Sequence, residues 1–187
     1  MTALPSFTNN SRFGDIIVKR ATATHAGKLQ HFLRLTDVRE CMIHGATPWR
    51  ALHHPLTVEG AETYTALVDK TPICMGGVMP LIEEDGYRIG SIWLLGSPAI
   101  EDHAKNFHKM VISMVDYFQT QYDLLENVVP LDHVKTVEWL ARLGFMFSTE
   151  PIMINGYSVL RFVRCAPEYS VSFEDNDGPR LTDGPLG

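Results

Sequence analysis

The sequence predicts an α+β fold: a central mixed sheet of about six to seven strands flanked by about four helices. Three observations carry that expectation. Short β-branched and aromatic runs succeed one another between Thr63 and Leu95, separated only by turn residues, which is the pattern of an antiparallel meander. A strand, a Pro-Leu-Asp turn, a helix and an abrupt Gly-Phe stop follow one another in NVVPLDHVKTVEWLARLGFMF, Asn127 to Phe147. Two further apolar runs meet at Asn155-Gly156, a dipeptide suited to a two-residue hairpin turn.

The elements follow in order. Met1 to Phe13 is polar and irregular, so residues 1–14 read as a flexible arm and 15–165 as a single domain. DIIVKR, Asp15 to Arg20, is a strand. Thr22 or Thr24 caps a helix from His25 to His44, with Leu29, Phe32, Leu33, Val38, Cys41 and Met42 as its apolar stripe. Thr47 and Pro48 suit the cap and first position of a short helix that Pro55 ends. Strands are expected over Thr63–Asp69, Ile73–Ile82 and Tyr87–Leu95, with turns at Asp69-Lys70-Thr71-Pro72 and Glu84-Asp85-Gly86. Gly76-Gly77 inside the second of these marks a bulge or a close approach.

A helix from about Asp102 to Gln121 follows, with Phe107, Met110, Val111, Met114, Val115 and Phe118 on one face. Leu124 to Val129 is the next strand. Asp132 is the natural N-cap of a helix from His133 to Leu143. Phe145–Ile154 and Tyr157–Arg164 form the last hairpin. Residues 166–187 are polar, acidic and rich in Gly and Pro, and read as a flexible acidic tail.

Composition narrows the function. The formal charge is -6 with a pI near 5.7, which argues against a nucleic-acid binder, since such binding runs on Lys and Arg. Three cysteines without a CxxC argue for a reducing compartment. No basic region followed by an apolar run opens the chain, so no signal peptide is expected, and no stretch is long enough for a membrane span.

The element order and the Asn127–Phe147 unit resemble the GNAT acyltransferase superfamily. Its signature there is Asn, two residues, Ala-Ile, one residue, Leu-Tyr, two residues, Leu-Gly-Phe. Set on Gly144-Phe145, it places Leu143 on the Leu before Gly, Val137 on the Ile and Thr136 on the Ala, while the aromatic Trp139 falls where the Leu of Leu-Tyr would be. VMPLIEEDGYRIGSIWLLG resembles the paired strands before the family's CoA-binding helix, and the resemblance spans Ile16 to Arg164. LLENVVPLDHVKTVEWLARLGF together with WLLGS looks like a GNAT-like family of short-tailed bacteriophages, some of whose members are called internal virion or morphogenesis proteins.

The resemblance implies an acyl-CoA-dependent N-acyltransferase, with acetyl-CoA as a substrate and an amine on a small molecule or protein as the acceptor. It equally implies a non-catalytic scaffold with a phage or host protein partner, placed in the host cytoplasm or the virion. In such folds two parallel strands splay, here Tyr87–Leu95 and Leu124–Val129. The pantetheine arm satisfies their backbone groups, and the next helix N-terminus takes the pyrophosphate. Carried onto this chain, the cofactor-binding candidates are Trp93, Leu94, Leu95, Gly96, Ser97, His103, Lys105, Asn106 and Asn127.

Two departures stand out. The loop GSPAIEDHAKNF, Gly96 to Phe107, lacks the family's run of glycines and sets Glu101-Asp102 where a polyanion would dock. The Asn position is His133, and the position of the usual proton-donating Tyr is Leu140. His133, oriented by Asp132, is the catalytic candidate in its place; the same two residues serve equally as a helix cap and a first-turn surface residue. Arg39-Glu40 resembles a family segment near the acceptor entrance, and reads alternatively as a solvated charged face. His53-His54 lacks a third ligand, so no metal is expected. Cys74 reads as a packed small hydrophobe.

Overall fold

A computed structural model describes residues 7–81, 86–174 and 178–184, the side chain of Glu174 excepted. Among them are eleven strands and five α-helices. The strands are β1 (Arg12–Phe13), β2 (Ile16–Arg20), β3 (Glu62–Val68), β4 (Thr71–Pro80), β5 (Ile89–Gly96), β6 (Leu124–Pro130), β7 (Met146–Phe147), β8 (Ile152–Ile154), β9 (Tyr157–Cys165), β10 (Tyr169–Glu174) and β11 (Gly178–Asp183). The helices are α1 (Ala23–Leu29), α2 (Leu35–Ile43), α3 (Pro48–His53), α4 (Ala104–Gln119) and α5 (Val134–Arg142). Hydrogen bonding orders one sheet as β1-β2-β3-β4-β5-β6-β9-β7, with β8 also on β9. The β5–β6 ladder is parallel; β2–β3, β3–β4 and β6–β9 are antiparallel. The expected mixed sheet, meander and crossover are therefore present. The turn expected at Glu84-Asp85-Gly86 lies largely outside the described residues.

Contacts divide the chain into two compact units: Met1–Met79 with Ile92–Tyr117, and Pro80–Ser91 with Phe118–Gly187. In the first, α1 is capped by Thr22, whose hydroxyl accepts from the His25 N–H, and α3 by Thr47 with Pro48 at its first position. These are the residue types that satisfy the orphan amides of a helix start. Ala26, Leu29, Cys41, Leu52, Met75 and Leu95 form a core cluster, with Trp93 packed against it. Phe107, Met110, Val111, Met114 and Val115 of α4 are all buried, as their spacing predicts.

The helix expected over His25–His44 is two helices, broken between Leu29 and Leu35. The break resets the helical phase. Phe32 and Met42, read as core from the unbroken pattern, are 66% and 55% exposed, while Asp37 is buried. The arm expected over residues 1–14 is corrected for its described part, from Phe7 on. Phe7 is fully buried and meets Tyr64 edge-on at 4.9 Å, and Arg12–Phe13 pairs with β2. One apolar side chain inside a cluster of aromatic rings is enough to hold a polar segment down.

In the second unit, β6 pairs with β9 along its whole length. Arg88 and Asp123 clamp the entrance to β5 and β6: the Arg88 N–H and guanidinium both donate to the Asp123 carboxylate, at 2.8 Å each at their shortest. That bonding holds the Asp123 carboxyl below its ordinary pKa. The single strand expected over Phe145–Ile154 is two pieces, β7 and β8. Asn155 and Gly156 take positive φ (48° and 81°) and close the β8–β9 hairpin as predicted.

Within the stretch expected as a flexible acidic tail, Tyr169–Glu174 (β10) and Gly178–Asp183 (β11) pair antiparallel. Val171 is buried in a cluster with Leu124 and Val163, covered further by Phe173 and Leu181. The composition is polar because only alternate residues of a hairpin need face the core.

Candidate functional site

The candidate site is built where α2 meets the end of β5, inside the first unit. Gly76 lets β5 approach β4 closely: a Cβ there would lie 2.8 Å from the Trp93 carbonyl oxygen. Trp93 thereby packs against the α1–α3 cluster, and its indole Nε1–H is buried with no hydrogen-bond partner among the described residues. A buried donor without a partner is rare and asks for a ligand group or a water.

At the strand end the backbone is held from both sides. The Arg34 N–H donates to the Gly96 carbonyl at 2.9 Å, and the Gly96 N–H donates to the Asp37 carboxylate at 2.6 Å. Arg34 closes the loop, its guanidinium donating twice to Asp37 at 3.2 and 2.9 Å. Asp37 is 2% exposed, and its burial is tolerable because three N–H donors answer it, the Gly96 amide and two from the Arg34 guanidinium. The Ser97 N–H is likewise taken, by the Ile73 carbonyl at 2.8 Å. Of the strand-end groups expected to meet a thioester, the amides of Gly96 and Ser97 are committed within the protein.

Glu40 lies one turn beyond Asp37 on α2 and is half-buried. Burial, and then the negative charge of Asp37, push its carboxyl up to about 7, with Arg34 opposing. It is thus neither reliably ionised nor reliably neutral at physiological pH. The solvated charged face weighed for Arg39-Glu40 does not describe Glu40. Its neighbour Cys41 is pushed up to about 11 by burial, and Cys74 to about 12; both remain thiols and belong to the core.

At the first turn of α4 the picture differs. His103 Nδ1 and the Asp15 carboxylate lie 2.6 Å apart, and the Asn106 amide donates to Asp15 at 3.2 Å. Asp15 comes from the turn before β2. Gly14, at φ +62°, is needed there because a Cβ would collide with the Asn106 amide. Lys105, Glu101 and Asp102 are exposed. Two of the three polar groups expected to meet a pyrophosphate, His103 and Asn106, therefore already hold an anion, and it is the protein's own.

In the second unit, the β5–β6 ladder has three pairs, Ile89–Leu124, Gly90–Leu125 and Ser91–Glu126, and ends there. The Asn127 side-chain oxygen accepts from the Val128 N–H at 2.7 Å. The N-cap of α5 is His133 and not Asp132, with no side-chain cap bond; the Pro130–His133 turn, closed by the His133 N–H on the Pro130 carbonyl at 3.0 Å, moves the helix start one residue on. Asp132 is exposed. Leu143 and Phe145 of the Gly-Phe stop are buried, and Phe145 packs edge-on to Phe162 at 5.2 Å.

Asp37 escaped the sequence reading. Its signal was there, an Arg and an Asp three residues apart at a helix start, but an unbroken helix over the region hid which face turned inward.

No family model matches the sequence, and no curated protein matches it. Solved structures do. A GNAT-family protein from Chromobacterium violaceum superposes with a TM-score of 0.63 at 14% identity, over 83% of this chain and 90% of that one. The spermidine N-acetyltransferase of Vibrio cholerae, solved with CoA and spermine, gives 0.60 at 15% identity, over 81% and 96%. An aminoglycoside acetyltransferase solved with coenzyme A gives 0.59 at 14%, over 80% and 94%. The chain has the fold of the GNAT-family acetyltransferases. No helix among the described residues is long and apolar enough to cross a membrane.

Proposed function

We propose that this protein is an acyl-CoA-dependent N-acyltransferase, transferring acetyl from acetyl-CoA to an amine by direct attack. The observation that carries the reading is the short β5–β6 ladder in a chain of this fold. The ladder ends at Ser91, yet β5 continues to Gly96. A strand that outruns its ladder offers N–H and C=O groups to an extended, amide-bearing ligand, and the pantetheine arm of CoA is one. The buried, unpartnered Trp93 Nε1–H adds a donor on the same strand.

The chain's own part is to bind and orient. Amides of the Trp93–Leu95 stretch polarise the thioester carbonyl, and proximity of the amine supplies much of the rate. Lys105 and the first-turn amides of α4 receive the pyrophosphate once Asp15 gives way. Calorimetric titration with acetyl-CoA tests the reading: a saturating isotherm at micromolar to millimolar donor is expected, and no heat of binding at millimolar donor would sink it.

A second reading is a GNAT-fold scaffold without catalysis, a virion or assembly protein of a short-tailed bacteriophage. What favours it is Asp15 seated on His103 and Asn106, with Glu101 and Asp102 beside them. The sequence likeness around LLENVVPLDHVKTVEWLARLGF supports the phage setting. Mass spectrometry of purified particles of the encoding phage would find the protein in stoichiometric copies on this reading and absent on the first.

A further inference from the structure

We propose that the groove beside Phe32 is a docking site for a second copy of this chain, whose apolar patch at Leu131 and Met153 it receives. The proposal is independent of the acyltransferase reading.

The groove lies in the first unit. It has a volume of about 320 Å³ and is lined by Gly27, Lys28, His31, Phe32, Thr71 and Pro72. That is the small end of the range for a binding site. Phe32 is 66% exposed. Gly27 also borders the exposed Trp49, since a Cβ on it would lie 3.9 Å from the indole ring. Helix α2, which follows, is inside out for a surface helix. Leu35 and Met42, two turns apart on one stripe, are exposed while Asp37 is buried.

Charge follows the same inversion. Between Ile16 and Leu56 the only acids are Asp37 and Glu40, and neither is exposed, whereas Lys19, Arg20, Lys28 and Arg50 are. The exposed charges of this stretch are therefore all cationic. Burial, and then the charges of Lys28 and Lys19, hold the His25 imidazole below its ordinary pKa. Asp69 and Lys70, before Thr71 on the other wall, are both exposed and offset each other.

The patch lies in the second unit. The Leu131 N–H donates to the Ser158 carbonyl at 3.0 Å, which extends the β6–β9 register by one pair beyond Pro130–Val159. Ser158 pairs on its other side with Met153 of β8. Residues opposed in antiparallel ladders share a face, so Leu131 and Met153 flank the small Ser158 in one row. Both are exposed, Met153 to 67%, and Val134 is exposed three residues after Leu131. Among the described strands β8 pairs only with β9, so the row ends at an open sheet edge. Single exposed apolar residues are ordinary, but a row of them at an edge marks a contact.

The charge of the two units selects the partner. The first unit carries ten Lys and Arg against nine Asp and Glu, the second six against thirteen. Patch on patch about a twofold would set two acidic surfaces together. Patch in groove sets the acidic unit against a stretch whose exposed charges are cations, which favours a heterologous contact. Such a contact leaves a groove free on one copy and a patch free on the other, so it can add further copies.

Sedimentation of the full chain is the test. In low salt, wild type is expected to pass from the 21.0 kDa monomer to dimers and longer species as its concentration rises to about 0.5 mM. In about 0.5 M NaCl it should return towards monomer. Lys28→Glu and Met153→Asp each replace an exposed side chain, and each should weaken self-association by about tenfold or more. Mixed in equal amounts, the two variants should form a complex of two chains and nothing larger, since one supplies an intact patch and the other an intact groove. Phe32→Ser and Leu131→Asp repeat the two arms if either variant folds poorly. Wild type that stays monomeric in low salt overturns the proposal, as does self-association that the single variants leave untouched. So does a Lys28→Glu chain that still dimerises when Met153→Asp does not, which would make the contact patch to patch. Mixed variants that stay apart overturn it as well.

Discussion

Asp37 and Glu40 show how much one helical turn can change a carboxylate. Asp37 is buried and bonded on every side, so removing it strands the Arg34 guanidinium and the Gly96 amide together. Asp37→Ala is expected to destabilise the protein by about 3 kcal/mol, read as a lower urea midpoint. Glu40 acts in the opposite sense. Its carboxyl titrates near 4.5 when unfolded and at about 7 when folded. Below pH 4.5 it is protonated in both states and nothing is lost. As pH rises from 4.5 to 7 the unfolded chain ionises first, so stability falls, by about 3 kcal/mol once pH exceeds 7. Glu40→Gln should therefore match wild type near pH 4 and exceed it near pH 8, in urea melts run at both. The burial of neither carboxylate was legible in the sequence. A carboxylate's environment is set by what packs over it, and α2 is covered by residues as distant as Gly96.

At the scale of the element, local chemistry was largely legible. Thr22, Thr47 and Asn155-Gly156 do in the structure what their side chains and backbone preferences dictate. The Gly-Phe stop is equally local: Gly144 sits at φ 86°, where a Cβ is strained. Gly144→Ala is expected to lower stability by about 1 kcal/mol, measured as a small drop in Tm, with the β8–β9 hairpin intact. Two element readings failed for a shared reason. The α1–α2 break and the shift of the α5 cap from Asp132 to His133 depend on hydrogen bonds made by the segment before each helix, Arg34 to Gly96 and His133 to Pro130. The α4 start carries a prediction of its own. Asp15 answers His103 and Asn106 there, so Asp15→Asn should tighten acetyl-CoA binding several-fold, an effect on the order of 1 kcal/mol, by calorimetry. Unchanged or weaker binding would mean that the phosphates do not use this turn.

At the scale of the whole molecule, the two ends of the chain carry more structure than their composition suggests. A chain ending at Ala166 uncovers Leu124 and Val163, since Val171, Phe173 and Leu181 leave with the hairpin. The expected loss is about 2 kcal/mol from Val171 alone, seen as a lower Tm.

The amino-acid sequence by itself determined the meander, the α4 core face, the Asn155-Gly156 turn and the Gly144 stop between the buried Leu143 and Phe145, because periodicity and turn chemistry act over a few residues. Tertiary structure decided which carboxylates are buried, that the strand-end amides of Gly96 and Ser97 are already spoken for, and that Asp15 answers the α4 start. Each of those joins residues dozens of positions apart. Their energies come from desolvation and close pairing, which exist only once the chain has folded.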